Sequence, residues 1–203
     1  MCDAVAGSGK TTTILWLAKK LPFMKIIQIT YNSQLKMEVR EKIKHHQINN
    51  VQVHTYHSLA VQYYNKLAYE DSIMRDIITK NSKPIKKIYN FNIIVLDETQ
   101  DMTLLYYRMI HKFIRDYSAN NNNAKLLFLT LGDKYQGIYQ FKNADTRFLT
   151  LAPELWPQFT PMVKLSLKTS HRVTKPIAWF VNEVMLGEQR IISVIMFSKL
   201  TKK

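Results

Sequence analysis

Short apolar runs alternate along the chain with longer stretches in which apolar residues recur every three or four positions. The runs KIIQIT (25–30), NVQVHT (50–55), NFNIIVLDE (90–98), AKLLFLTLGD (124–133) and MVKLSL (162–167) have the length and composition of strands. A further short strand opens the chain. The stretches TTILWLAKKL (12–21), QLKMEVREKI (34–43), SLAVQYYNKL (58–67), LLYYRMIHKFIRDY (104–117) and TKPIAWFVNEVM (174–185) have helical spacing. Strand following helix in this way predicts an α/β domain with a mostly parallel sheet flanked by helices. Two segments fall outside the pattern. Residues 70–90, with Lys80, Lys83, Lys86 and Lys87 around Pro84, read as a basic turn, and SANNNNA (118–124) reads as a polar connection.

Three of the strand ends carry chemistry. AVAGSGKTT (4–12) follows the opening strand and starts a helix. Gly9, Lys10 and Thr11 fit the end of the pattern G-x-x-x-x-G-K-[ST], although Ala4 stands where its first glycine would be. The backbone of Ala6, Gly7, Ser8, Gly9 and Thr12 would curl around phosphates at a helix N-terminus. Lys10 would reach the β- and γ-phosphates, and the Thr11 hydroxyl would hold Mg²⁺. NIIVLDETQD (92–101) is a buried strand that delivers Asp97 and Glu98 to the sheet edge where ligands of open α/β sheets bind. Adjacent carboxylates there suit one metal-ligating acid and one base orienting a water. LGDKYQGIYQFKNAD (131–145) brings Gln136 to the same edge, followed by Tyr139, Phe141 and Lys142, rings beside a cation of the kind that stack on single-stranded bases.

Charge strengthens that last reading. The chain has 203 residues and 29 Lys+Arg against 15 Asp+Glu, a formal charge of +14, so it should attract polyanions such as nucleic acid. Cys2 is the only cysteine, which excludes an internal disulfide and a cysteine-based zinc site. His45 and His46 have no third ligand at metal spacing and read as surface residues. The run IISVIMF (191–197) is too short to span a bilayer, no secretory signal pattern opens the chain, and the expectation is a soluble, intracellular protein without a membrane partner.

The order AVAGSGKTT, ITYNSQLKMEVREKI, VHTYHSLA, LDETQD, LGDKYQGIYQFKNAD and LKTSHRV resembles motifs I, Ia, Ib, II, III and IV of the UvrD/Rep/PcrA-type superfamily 1 helicases. The wording ITYN and TYHSLA is most similar to the F-box-containing DNA helicase branch. The resemblance implies a P-loop NTPase, RecA-like domain that uses ATP and Mg²⁺ and moves 3′→5′ on single-stranded DNA. It implies that Lys10 and Thr11 serve phosphate and metal, Asp97 the metal, Glu98 as catalytic base, Gln136 as γ-phosphate sensor and Arg172 as arginine finger. His171 stands where the family usually has a tyrosine stacking on adenine. Thr30, Tyr31 and Asn32, with Thr55, Tyr56 and His57, match motifs that grip single-stranded DNA. Tyr139, Phe141 and Lys142 match the base-stacking stretch, where the family more often shows Tyr, Trp and Arg.

The departures set further expectations. The resemblance divides the chain into a RecA-like ATP-binding domain, residues 1–163, and the start of a second RecA-like domain, 164–203. The usual accessory insertion shrinks to about residues 60–90, and the upstream adenine-reading glutamine motif and motifs V and VI have no counterpart. EQRIISVIMFSKLTKK (188–203) falls outside the match. Two readings stay open: a DNA helicase or its truncated relative, and a non-catalytic ATP- and DNA-binding module or half of a two-chain motor. ATP and DNA binding are expected, with weak hydrolysis and no processive unwinding unless a second chain supplies the other lobe.

Overall fold

The computed structural model describes residues 1–121 and 126–196. Its centre is a six-stranded sheet made of β1 (Cys2–Ala4), β2 (Ile26–Thr30), β3 (Val51–Thr55), β4 (Ile93–Leu96), β5 (Leu127–Gly132) and β6 (Leu165–Leu167). The spatial order is β3-β2-β4-β5-β1-β6 and every neighbouring pair is parallel. Strand β5 therefore lies between β1, which feeds the glycine-rich turn, and β4, which feeds the acids.

Alternate residues of the central strands enter different cores, as the pleat requires. Ile27, Ile29, Ile94 and Leu96 pack on one face with Tyr63, Met109, Phe113 and Trp156. Ile26, Ile93 and Val95 pack on the other with Ile14, Ala18 and Leu131. The first face is covered by α3 (Tyr56–Tyr63), α4 (Asp71–Thr79) and α5 (Leu104–Asn120), and the second by α1 (Lys10–Lys20). Helix α2 (Ser33–His45) is largely exposed and buries Val39. Short helices α6 (Arg147–Thr150) and α7 (Ala152–Leu155) place Phe148 and Trp156 into the first core. A separate parallel pair, β7 (Thr169–Thr174) and β8 (Ile192–Ile195), follows. It is linked by α8 (Lys175–Trp179), which continues as a wider π-type segment, Phe180–Leu186.

Several elements differ from the sequence expectation. The predicted basic turn at 70–90 contains α4, whose Met74 and Ile77 are buried on one face while Lys80 follows its end. Helix α5 runs on to Asn120, and residues 122–125 of the predicted polar connection lie outside the described residues. The strand within MVKLSL pairs with β1, so it completes the first sheet; the expected division at 163/164 would cut it away from that partner. Strands β7 and β8 were not predicted. Their residues are largely exposed or half-buried, so no buried apolar run marks them. Part of the unmatched tail thus belongs to the fold through β8, while residues 197–203 lie outside the described residues. Among the described residues no helix is long and apolar enough to cross a membrane.

Thr55 ends β3 and caps α3: its hydroxyl accepts from Ser58 N (3.1 Å), and Ser58 Oγ accepts from Thr55 N (2.8 Å). Thr55→Ala is expected to lower the unfolding free energy by about 1 kcal/mol and Thr55→Ser by far less, read from urea denaturation. Equal losses in the two variants would contradict the capping role.

Candidate functional site

The turn between β1 and α1 is built around glycines with positive φ, +70° at Gly7 and +88° at Gly9. At Gly7 the conformation and the space both exclude a side chain, because a Cβ there would collide with the Arg172 Cβ and sit 3.1 Å from Arg172 N and from Ser170 Oγ. The second sheet is therefore seated directly on the turn. Ser170 Oγ donates to Ala6 O (2.7 Å), His171 N donates to Gly7 O (2.9 Å), and Ser170 Oγ accepts from Val173 N (2.9 Å). Ser170 is fully buried and was not among the sequence candidates.

A cleft of about 800 Å³ opens over this turn, and its lining includes Lys10, Thr11, Glu98, Gln136, His171 and Arg172. Six residues from four separate stretches of the sequence, all predicted for one site, thus share one cavity with the glycine-rich turn. The turn residues Ala6, Gly7, Ser8, Gly9 and Thr12 line it as well, with Trp16 of α1 and Leu35, Glu38 and Lys42 of α2 on its outer side.

Strand β4 ends in Asp97, which is buried at 4% exposure. Its two oxygens accept from Gln28 Nε2 (2.9 Å) and Glu98 N (3.0 Å). Burial and the neighbouring Glu98 charge raise its pKa from the ordinary aspartate value to about 6, against the pull of Lys10. Asp101 is raised to about 6 for the same reasons, burial first and Glu98 second. Glu98 adopts the left-handed conformation (φ 51°, ψ 45°), strain of the kind held at functional sites. That geometry turns its carboxylate toward Lys10, whose Nζ lies 3.4 Å away.

Gln100 links this strand end to the next. Its Nε2 donates to Glu98 Oε2 (2.8 Å), and its Oε1 accepts from Asp133 N (3.1 Å). Gly132 makes room for that amide, since a Cβ at this position would strike Gln100 Oε1 and approach Leu149 Cδ2 to 2.9 Å. Asp133 in turn accepts from Gln136 Nε2 (2.7 Å). A continuous hydrogen-bonded chain therefore runs from Glu98 to Gln136. Gln100 lies within LDETQD but was not singled out from the sequence, where nothing separates it from a helix-start residue.

Beyond Gln136 the backbone is tied to the acidic turn by Asp145 N donating to Met102 O (2.9 Å) and by a bridge between Thr103 and Ala144. Between Gln136 and these ties Tyr139 stacks on Tyr31 at 5.1 Å, and Phe141 lies 6.0 Å from Tyr139. Lys142 Nζ sits 5.5 Å from the Tyr139 centroid and 5.7 Å from that of Phe141. Phe141 is 76% exposed, so the sheet edge presents an open ring beside a cation.

The remaining residues expected at a nucleic-acid surface divide. Thr30 is fully buried, Thr55 serves as a helix cap, and Tyr56 is buried face to face with Tyr106 at 4.4 Å. These three build the edge from beneath and do not present their side chains on it. Asn32 caps α2 by accepting from Leu35 N (2.9 Å), and His57 Nε2 pairs with Asp71 Oδ1 (3.0 Å). Tyr106, half-buried, meets Tyr31 and His57 edge-on and joins the cluster. Its helical spacing marked it only as part of α5.

The donor set fits nucleotide and cation. Ser8 Oγ is buried in the turn without a hydrogen-bond partner, and the turn leads into a helix N-terminus. The Thr11 hydroxyl and the carboxylates of Asp97 and Glu98 are hard oxygen donors suited to Mg²⁺. Among the described residues no three His, Cys, Asp or Glu side chains gather to hold a metal ion. A cation here would thus complete its shell with phosphate oxygens and water.

The fold that carries this cleft has counterparts among known proteins. Residues 2–142 match the family model described as "AAA domain", and the chain belongs to that family. Its fold is also that of solved helicases. The PRRSV helicase superposes with a TM-score of 0.50 at 13% identity, covering 97% of this chain and 35% of that one. Unliganded Pif1 from Bacteroides sp. superposes with a TM-score of 0.50 at 16% identity, covering 86% of this chain and 38% of that one. The chain spans a little over a third of the length of these two proteins. No curated protein sequence matches it.

The raised carboxylates make a pH prediction. Because Asp97 and Asp101 are raised to about 6, the folded chain holds protons that the unfolded chain has released between roughly pH 4 and 6. Their contribution to stability is full below the unfolded value and is lost as pH rises through about 6. Asp97→Asn is expected to be more stable than the unaltered chain at pH 7, by on the order of 1–2 kcal/mol, with the gain fading toward pH 4. Urea unfolding across that range measures it, and a pH-independent difference would contradict the assignment.

Proposed function

We propose that this chain is the ATP-binding part of a superfamily 1 helicase of the UvrD/Rep type, hydrolysing ATP to move 3′→5′ along single-stranded DNA. The observation that carries the reading is the hydrogen-bonded chain Glu98–Gln100–Asp133–Gln136, which joins the phosphate turn to a segment ending in an exposed ring and a lysine.

In this reading Lys10 and the backbone of residues 6–12 would hold the phosphates, and Thr11 and Asp97 would hold Mg²⁺. The bound cation would neutralise charge on the transferring phosphoryl group. Glu98 accepts a proton from the attacking water, and Gln136 senses the γ-phosphate. Arg172, carried by β7 against the phosphate turn, stabilises the developing charge, a role typically worth about 10³–10⁵ in rate. The His171 ring covers the nucleotide base. Tyr31, Asn32, His57, Tyr139, Phe141 and Lys142 take the DNA strand, with Tyr106 supporting them. Binding of ATP would shift Gln136 and, through it, the segment 137–145 that bears the stacking rings.

A second reading, a binding module or half of a two-chain motor, draws support from one feature. Trp179, Phe180, Val184, Met185, Ile192 and Val194 are all at least half exposed on α8, its π-type continuation and β8. An apolar surface of that composition is suited to cover by another lobe or chain.

Phosphate release by the purified chain, with and without oligo-dT, separates the readings. DNA-stimulated turnover is expected, falling at least about 10²-fold in Lys10→Ala and in Glu98→Gln. Phe141→Ala is expected to weaken oligo-dT binding by about 1–3 kcal/mol while sparing ATP binding. Turnover that survives Glu98→Gln would refute the catalytic assignment. Binding of both ligands without turnover would favour the module.

A further inference from the structure

A polar contact centred on Arg190 joins the two sheets and reaches the turn that carries Gln136. Arg190 precedes β8 and is only 9% exposed. Its guanidinium donates to Asp3 Oδ2 (2.8 Å) and Asp3 Oδ1 (2.9 Å) on β1, and its Nη2 also donates to Asp133 Oδ1 on the turn after β5. Asp133 is the same carboxylate that accepts from Gln136 Nε2 through its other oxygen. The Arg190 guanidinium further lies 4.6 Å from the Tyr135 ring centroid, and Tyr135 OH donates to Glu188 Oε1 (2.9 Å).

The arginine is itself held in place. Asn182, buried in the π-type segment, accepts from Arg190 N (3.1 Å) and Ile191 N (2.9 Å) and donates to Ile191 O (2.9 Å). A planar fork fits this task because it meets two carboxylates at fixed angles, which an ammonium does not. Burial alone would raise the Asp3 pKa, yet the Arg190 hydrogen bond and charge hold it below the usual range. The Arg190–Asp3 pair is accordingly ionised across the neutral range.

We propose that Arg190 is a positioning residue for Gln136: by holding one oxygen of Asp133, it fixes the other as the acceptor that aims the Gln136 amide into the cleft, and so ties nucleotide discrimination to the second sheet. The proposal rests on the nucleotide reading of the cleft. It places the γ-phosphate preference of the site under the control of a residue more than fifty positions away in sequence from Gln136.

The test compares binding of mant-ATP and mant-ADP, with Mg²⁺, to the unaltered chain, Arg190→Ala, Arg190→Lys, Gln136→Ala and the double variant Arg190→Ala/Gln136→Ala. The unaltered chain is expected to prefer mant-ATP. Arg190→Ala should reduce that preference by roughly tenfold, the size of one charge-assisted hydrogen bond, to the level of Gln136→Ala. The double variant should lose no more than either single one, because the two act as a unit. Arg190→Lys should restore at most part of the preference, and it decides the matter by the same ratio if Arg190→Ala does not fold. An unchanged ATP-to-ADP ratio with a lower urea midpoint would overturn the proposal and leave Arg190 a structural tie, as would losses that multiply in the double variant. Failure of the unaltered chain to bind either nucleotide, or binding unaffected by Lys10→Ala, would overturn the nucleotide reading and this inference with it.

Discussion

Six strands that all run the same way must end at the same edge, and the site depends on that constraint. Parallel pairing places the glycine-rich turn after β1, Asp97 and Glu98 after β4, and Asp133 after β5 on a single rim. The insertion of β5 between β1 and β4 then decides what can touch what. The turn carrying Gln136 lies between phosphate cradle and acids, and Gln100 spans the gap from one side. Glu98 is connected to the segment bearing the stacking rings through Gln100, Asp133 and Gln136, and that segment is tied back to residues 102–103 by backbone contacts of Ala144 and Asp145.

The rim concentrates opposed electrostatic demands. Asp97 and Asp101 sit beside Glu98 with little solvent to separate the charges, so both bind protons more readily than an ordinary aspartate. Lys10 offsets part of that repulsion from 3.4 Å. Glu98 adds backbone strain to the same few residues. Such an arrangement is poorly suited to stability and well suited to a cation and phosphates, whose charges complement both the carboxylates and the lysine. The chain's overall charge of +14 acts at longer range and favours a polyanion at the aromatic edge.

The parts of this arrangement that were legible in the sequence are those encoded over a few neighbouring residues. Gly7–Gly9–Lys10–Thr11 defines its turn locally, and the run Ile93–Leu96 followed by Asp97 declares a buried strand with an acid at its end. What escaped depends on contacts distant in sequence. Ser170 matters because it meets Ala6, and Arg190 because it meets Asp3 and Asp133. Ser170 lies within LKTSHRV, whose wording does not show that it is buried against the turn, and no local pattern distinguishes Arg190 from a surface arginine. Strand β6 was legible as a strand but not as a partner of β1, since register between strands so far apart is set by tertiary packing. Tyr56 illustrates the converse. Its motif position implies nucleic acid, whereas its ring is buried against Tyr106 and supports Tyr31 from below, through Tyr106.

In the proposed function, nucleotide state and grip on a DNA strand are joined through one short turn. The most direct measurement is the affinity of a fluorescent oligo-dT for the chain without nucleotide, with ADP and with a non-hydrolysable ATP analogue, repeated in Gln136→Ala. The ATP analogue is expected to change the affinity by about fivefold or more relative to ADP, the scale of a coupling free energy near 1 kcal/mol. That difference is expected to disappear in Gln136→Ala while binding of each ligand alone persists. One affinity in all three nucleotide states, or a difference that survives Gln136→Ala, would contradict it.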